Sequence, residues 1–173
     1  MRRLVYCVAT SLDGFIAGPN GEYDWITPDS GIDFRKIYAK YDTLLMGRRT
    51  YDVAKTRPGL LIDTGMTIIV VSTTLDPAAH RHLTILASRV PESLAALKSE
   101  PGKDIWLMGG GVLFRSLVDS GLVDAVEISV FPVLLGAGTP LLPRGRRIPL
   151  HFEESAALPS GVLMLSYSVE LPA

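Results

Sequence analysis

The sequence predicts an α/β protein: a mainly parallel sheet covered by helices, with antiparallel strands at its C-terminal end. Three observations carry this. Short apolar runs of strand length alternate with segments of helical spacing, the pattern of parallel βαβ units. The run Ile105-Trp106-Leu107-Met108 is apolar at every position, as in a strand buried on both faces. After it the pattern changes: Val126, Ile128 and Val130 alternate with Glu127 and Ser129, and residues 151–157 and 162–171 flank Pro159-Ser160-Gly161 as a hairpin would.

Taken in order, residues 4–10 read as a strand and 15–17 as a short extended return after Asp13-Gly14. A loop follows at Gly18-Pro19-Asn20-Gly21. A helix is predicted from Ser30 to about Tyr41, with Phe34, Ile37, Tyr38 and Tyr41 on one face. Ser30-x-x-Asp33 there has the spacing of a capping box. Residues 43–46 form the next apolar strand, followed by Gly47-Arg48-Arg49-Thr50-Tyr51 and a short helix. The β-branched run 67–71 and the run 83–87 are further strands, the second leading to a helix started by Pro91. The buried strand at 105–108 then passes through three glycines into Leu113, Phe114, Leu117 and Val118 at helical spacing, with Gly121 as the stop. Residues 131–142 form an apolar segment punctuated by glycine and proline.

Several function classes are excluded by composition. With 173 residues and no linker or repeat, the chain is expected to be one domain. A formal charge of −1 does not suit a surface built for nucleic acid or anionic lipid. The single Cys7 allows no internal disulfide, and with three histidines for company it makes no zinc-deaminase motif. Apolar runs are too short to span a membrane, and the expected location is cytoplasmic.

Four strand ends share one chemistry: Gly47-Arg48-Arg49-Thr50, Ser72-Thr73-Thr74, Ser88-Arg89 and Gly109-Gly110-Gly111. In a parallel sheet such ends lie along one edge, where α/β proteins bind ligands. Glycine admits close backbone approach, and a helix start offers free N–H groups to an anion. Hydroxyl and guanidinium groups beside them suit a ligand carrying several phosphates. The glycine run is not a dinucleotide fingerprint, because Phe114 stands where the third glycine belongs, nor a P-loop, which ends in Gly-Lys-Ser/Thr. Taken alone, it also fits a tight turn that binds nothing.

Together these blocks resemble the dihydrofolate reductase superfamily, in particular its small stand-alone members related to the reductase domain of riboflavin biosynthesis. The resemblance is carried by Ser11-Leu12-Asp13-Gly14-Phe15-Ile16-Ala17, Leu45-Met46-Gly47-Arg48-Arg49-Thr50-Tyr51, Val71-Ser72-Thr73, Leu107-Met108-Gly109-Gly110-Gly111 and Pro132-Val133-Leu134-Leu135-Gly136-Ala137-Gly138-Thr139-Pro140-Leu141. It implies a dihydrofolate reductase-like three-layer α/β/α fold over residues 1–173 and an NADPH-dependent reductase. The cofactor pyrophosphate would lie between Gly47-Arg48-Arg49-Thr50 and Met108-Gly109-Gly110-Gly111-Val112-Leu113. Ser72 and Thr73 would lie near the 2′-phosphate, helped by Arg49 or Arg89, and the backbone of Ala9 and Ile16 would hold the nicotinamide carboxamide. A cis Gly109-Gly110 peptide is also implied.

For the substrate, the resemblance implies a small heterocycle, pterin- or pyrimidine-like. Asp29 and Asp33 compete for the anchoring carboxylate, while Asp13, Tyr51 and Ser129 complete the candidates, with Asp13 and Asp33 the catalytic ones. A homodimer is expected, from the family and from apolar residues in 131–142 and the C-terminal hairpin, although the same loop could cover the substrate. Two other readings stand beside this. Asp63-Thr64-Gly65 has the look of an aspartic-protease tripeptide, which a symmetric dimer could pair. The chain could also bind nucleotide without turnover.

Overall fold

A computed structural model describes residues 1–29, 31–56 and 65–170. In chain order the elements are β1 (Leu4–Ser11), β2 (Phe15–Ala17), α1 (Phe34–Ala39), β3 (Tyr41–Gly47), α2 (Arg48–Ala54), β4 (Thr67–Val71) and β5 (Thr84–Leu86). There follow α3 (Val90–Ser99), β6 (Asp104–Leu107), α4 (Gly111–Asp119), β7 (Ala125–Phe131), β8 (Thr139–Pro140), β9 (Leu150–Ala157) and β10 (Leu163–Val169). Among the described residues the main sheet runs β5-β4-β3-β6-β1-β7-β10-β9, parallel through β7 and antiparallel in the last two strands. This is the predicted fold class.

Both faces of the sheet are covered, which is why the central strands are apolar without alternation. On one face Leu94 of α3 and Phe114, Leu117 and Val118 of α4 pack on Tyr6, Leu45, Ile105 and Leu107. The Tyr6 and Phe114 rings stack there, with centroids 3.9 Å apart. On the other face Tyr51 and Ala54 of α2, with Ile37 and Tyr38 of α1, pack on Leu44, Met46 and Trp106. β6 sits between β3 and β1, and its Ile105, Trp106 and Leu107 are buried.

The first helix corrects the sequence expectation. It spans Phe34–Ala39 rather than starting at residue 30, because the Asp33 carboxylate caps it by accepting from the N–H groups of Arg35 (3.1 Å) and Lys36 (3.3 Å). Asp33 is thus the cap itself, not the third residue of a capping box; Ser30 lies outside the described residues. Tyr41, expected on the helix face, is instead the buried first residue of β3.

The structure adds detail to residues 131–142. Part of this segment is the short strand β8, antiparallel to β2, so the two form a separate small sheet above the C-terminal end of β1. At the far edge β9 is exposed along its whole length. Leu150, Phe152 and Leu163 carry apolar surface there, the hairpin residues behind the expected homodimer.

Asp63 and Thr64 of the protease-like tripeptide lie outside the described residues. A mainly parallel sheet with helices on both faces is not the all-β architecture that reading requires. Among the described residues no helix is long and apolar enough to cross a membrane.

Candidate cofactor and substrate site

Because β3, β4, β5 and β6 are parallel neighbours, their C-terminal ends lie along one edge, as the sequence pattern required. β3 passes directly into α2 through Gly47, and β6 reaches α4 through Met108, Gly109 and Gly110. The Met108 N–H donates to the Leu45 carbonyl at 2.8 Å, which holds the two exits side by side. Thr50 of α2 lies against the glycine turn: a Cβ on Gly109 would come within 3.3 Å of its methyl, and one on Gly110 within 3.3 Å of its hydroxyl.

The turn itself departs from expectation. Its peptides are trans, with no cis bond among the described residues. The chain instead turns through two consecutive left-handed glycines, Gly109 (φ 62°) and Gly110 (φ 79°), a pair of conformations that L side chains rarely adopt. Gly110 caps α4 without any side-chain hydrogen bond. Val112 on the first turn is exposed, while Leu113 turns toward the core.

Beyond β4 a depression of about 320 Å³ is lined by Arg48, Ser72, Thr73, Thr74, Leu86 and Ala87, with Val71 at its base. The Arg48 guanidinium reaches in from α2, donating to Thr74 Oγ1 at 3.4 Å and to the Asp52 carboxylate at 2.7 Å. Asp52 is held below the usual carboxylate range chiefly by Lys55, then by Arg48. Ser72 is buried, and its oxygen accepts from the N–H groups of Thr74 and Leu75, both at 3.1 Å, so it shapes the loop. Thr73 and Thr74 present the exposed hydroxyls. Of the three arginines considered, only Arg48 lines this depression; Arg49 and Arg89 are exposed, and Arg89 is the left-handed cap of α3 (φ 51°).

A crevice opens between β1 and β6. β1 pairs with β7 from Val5 to Ser11 but with β6 only from Leu4 to Tyr6, because β6 ends at Leu107 and turns away through the glycines. Alternate residues of a strand point their backbone groups to the same neighbour. The Arg3 carbonyl accepts from Ile105 N–H (2.8 Å), and the Cys7 carbonyl from the Trp106 indole (2.8 Å). Ala9 therefore aims its N–H and C=O into the crevice, above the end of β6. Its cross-strand neighbour on β7 is Ser129, whose hydroxyl donates to Met164 Sδ at 3.1 Å. Ile16 sits half-buried in β2. Burial pushes the nearby Cys7 thiol up to about 12, so it remains a protonated, unreactive group.

The carboxylates proposed for the substrate already have partners. Asp29 accepts from the Ser160 hydroxyl and from Gly31 N–H at 2.7 Å, and both bonds, the hydroxyl foremost, hold it below its ordinary range. Asp13 accepts from Ser11 Oγ and from the backbone of Leu135 and Gly136. The Ser11 hydroxyl is the main reason its pKa is lowered, which makes Asp13 a poor proton donor. Asp33 spends one oxygen on the helix cap, and among the described residues the other meets only Lys36, at 3.9 Å. Tyr51 is 3% exposed and belongs to the core beneath α2, against the sequence expectation of a substrate contact. Sequence reasoning did not include Thr74, Leu86 or Ala87. Thr74 ends a motif that was noticed, whereas the other two reach the depression only because β5 pairs with β4.

A profile of the RibD C-terminal domain matches residues 2–164. The chain belongs to this family. RibD C-terminal domain relatives among known proteins include YyaP of Bacillus subtilis, an uncharacterised protein 33% identical over 178 residues, covering 96% of this chain and 94% of that one. A protein from Shewanella sp. PV-4 provisionally assigned to riboflavin biosynthesis superposes with a TM-score of 0.84 at 24% identity, covering 99% of this chain and all of its own. Dihydrofolate reductase from Enterococcus faecalis, solved with NADP(H), superposes at 0.70 with 20% identity and 96% of both chains covered. This RibD C-terminal domain thus shares its fold with NADP(H)-binding reductases.

Proposed function

We propose that this protein is an NADPH-dependent reductase acting on a small heterocycle with a conjugated C=N or C=O bond. The observation that carries the reading is the edge made by Arg48, Thr73, Thr74 and the uncapped Gly110–Gly111 start of α4, beside a crevice into which Ala9 directs backbone groups. The donors fit the cofactor. None of the residues lining the depression is acidic, which suits a 2′-phosphate and not a free ribose hydroxyl. The glycine turn leaves beside Thr50 the space a Cβ would fill, so phosphate oxygens can approach its backbone.

NADPH, when bound, supplies the hydride. Arg48 and the two threonine hydroxyls would hold the adenosine phosphate, and the α4 start would hold the pyrophosphate. The Ala9 N–H and C=O, with the Ile16 backbone across the turn, would hold the carboxamide and so orient the nicotinamide toward the substrate. Ser129 shares the Ala9 face and borders the substrate space, with Asp33 at the entrance to α1.

Arg48→Ala should weaken NADPH binding about tenfold or more while leaving NADH binding nearly unchanged, because one charge-assisted contact contributes about 1.5–3 kcal/mol. Competition from Asp52 keeps the effect toward the lower end. Parallel fluorescence titrations with both cofactors measure it, and equal losses for the two would remove Arg48 from the 2′-phosphate site.

Asp33→Asn tests the substrate side. Asparagine caps a helix about as well as aspartate, so the melting temperature should hold, while Asp33→Ala should lose about 1 kcal/mol. If the free oxygen of Asp33 meets a ring N–H, Asp33→Asn also lowers kcat/KM by the equivalent of about 1.5–3 kcal/mol with NADPH affinity intact. Unchanged kcat/KM in that variant would leave Asp33 a cap and nothing more.

A further inference from the structure

We infer that Asp13 is a positioning residue: its carboxylate clamps the β1–β2 turn to residues 133–136 and so fixes the strand ends that carry Ala9 and Ile16. The inference rests on the reductase reading above and adds to it a role for a residue that touches neither cofactor nor substrate.

The clamp is built from both carboxylate oxygens. Oδ1 accepts from Ser11 Oγ at 2.6 Å and from Leu135 N–H at 3.1 Å; Oδ2 accepts from Leu135 N–H at 3.1 Å and from Gly136 N–H at 2.7 Å. Ser11 is itself fixed, being 1% exposed, with its oxygen accepting from Phe15 N–H at 2.9 Å. One carboxylate therefore joins the end of β1, the entry to β2 and a loop more than 120 residues away.

Two further ties lie on either side. Leu12 N–H donates to the Val133 carbonyl at 2.8 Å, and Leu141 N–H to the Gly14 carbonyl at 2.9 Å. Between them β2 pairs with β8, Phe15 opposite Pro140 and Ala17 opposite Thr139. Those ties use only backbone groups, so any sequence of the right shape could form them. Asp13 supplies the contact that depends on a side chain, and its two oxygens accept from three donors, Ser11 Oγ and the N–H groups of Leu135 and Gly136, more than the single oxygen of an amide would take. An aspartate is ionised at neutral pH, and the Ser11 hydroxyl with the Leu135 and Gly136 N–H groups favours that form further. The result is a preformed seat for the nicotinamide end, separate from the phosphate end at Arg48 and Gly110.

The test compares the full-length wild-type chain with Asp13→Asn and Asp13→Ala, using two probes. NADPH occupies both ends of the site, while 2′,5′-ADP occupies only the phosphate end. Amide hydrogen exchange at Leu135 and Gly136 is followed in the ligand-free proteins. We expect exchange there to rise roughly tenfold or more in both variants, as one charge-assisted bond predicts. NADPH affinity should fall by a similar factor, with 2′,5′-ADP affinity unchanged. Unchanged exchange at both amides would overturn the clamp. Faster exchange with equal effects on the two ligands, or none on either, would overturn the positioning role and leave a merely structural contact. Failure of the wild-type chain to bind either ligand would overturn the reductase reading and the positioning role with it, while the exchange data would still decide whether the clamp exists.

Discussion

Gly110→Ala should lose NADPH affinity out of proportion to its loss of stability, and Gly111→Ala should do the reverse. At Gly110, φ is 79° and a Cβ would stand 3.3 Å from the Thr50 hydroxyl, a side-chain atom that can shift by a few tenths of an ångström. Alanine in the left-handed region costs about 1–2 kcal/mol. The new methyl group would also occupy the space through which phosphate oxygens reach the α4 backbone. At Gly111 a Cβ would meet the carbonyl oxygens of Leu141 and Pro140 at 2.8 and 2.9 Å and Pro143 at 3.1 Å. Backbone carbonyls cannot swing aside, so the expected result is overpacking of about 1–3 kcal/mol. Denaturant melts and NADPH titrations on both variants read the two effects apart. A Gly110→Ala protein that folds and binds NADPH normally would reduce the glycine turn to a way of starting a helix.

Gly138→Ala should be the most damaging small substitution in the nicotinamide-side loop. Its φ of 152° is one that a side chain rarely adopts, and a Cβ there would overlap the Ala17 carbonyl oxygen across the β2–β8 pair. Backbone strain of about 1–3 kcal/mol and a comparable overpacking term give an expected loss of roughly 2–5 kcal/mol if the pair stays closed. If it opens instead, the loss of global stability is smaller, and the amides of residues 15–17 and 139–141 exchange faster. NADPH binding then weakens as it does for the Asp13 variants. A melt and an exchange profile that both match the wild type would show that the two segments do not depend on their close approach.

Much of the architecture was legible because it is governed by local pattern. β2 and β4 have the boundaries read from the sequence, and the apolar run read at 105–108 is the strand Asp104–Leu107, buried on both sides because two helical layers cover it. The same logic gathered the four polar strand ends on one edge, since parallel strands must end together. The first helix was misjudged at both ends: the Asp33 carboxylate caps it so that it starts at Phe34, and Tyr41, though at helical spacing, begins β3.

What the sequence by itself determined, then, is the layered α/β fold, which follows from periodicity, the polar chemistry of the strand-end edge, which follows from the residue types there, and the family, which follows from the motif blocks the chain shares with it. Which side chains line that edge was decided only by tertiary structure. Of Arg48, Arg49 and Arg89 only Arg48 lines the depression, and Ser72 is turned inward to brace its own loop. Asp13, Asp29 and Tyr51 look equally available in one dimension. They differ because long-range pairing brings Leu135 and Gly136 to the first, Ser160 to the second and the core to the third. A carboxylate's role depends on which donors reach it, and some of those donors, Leu135 and Gly136 for Asp13 and Ser160 for Asp29, lie more than a hundred residues away along the chain.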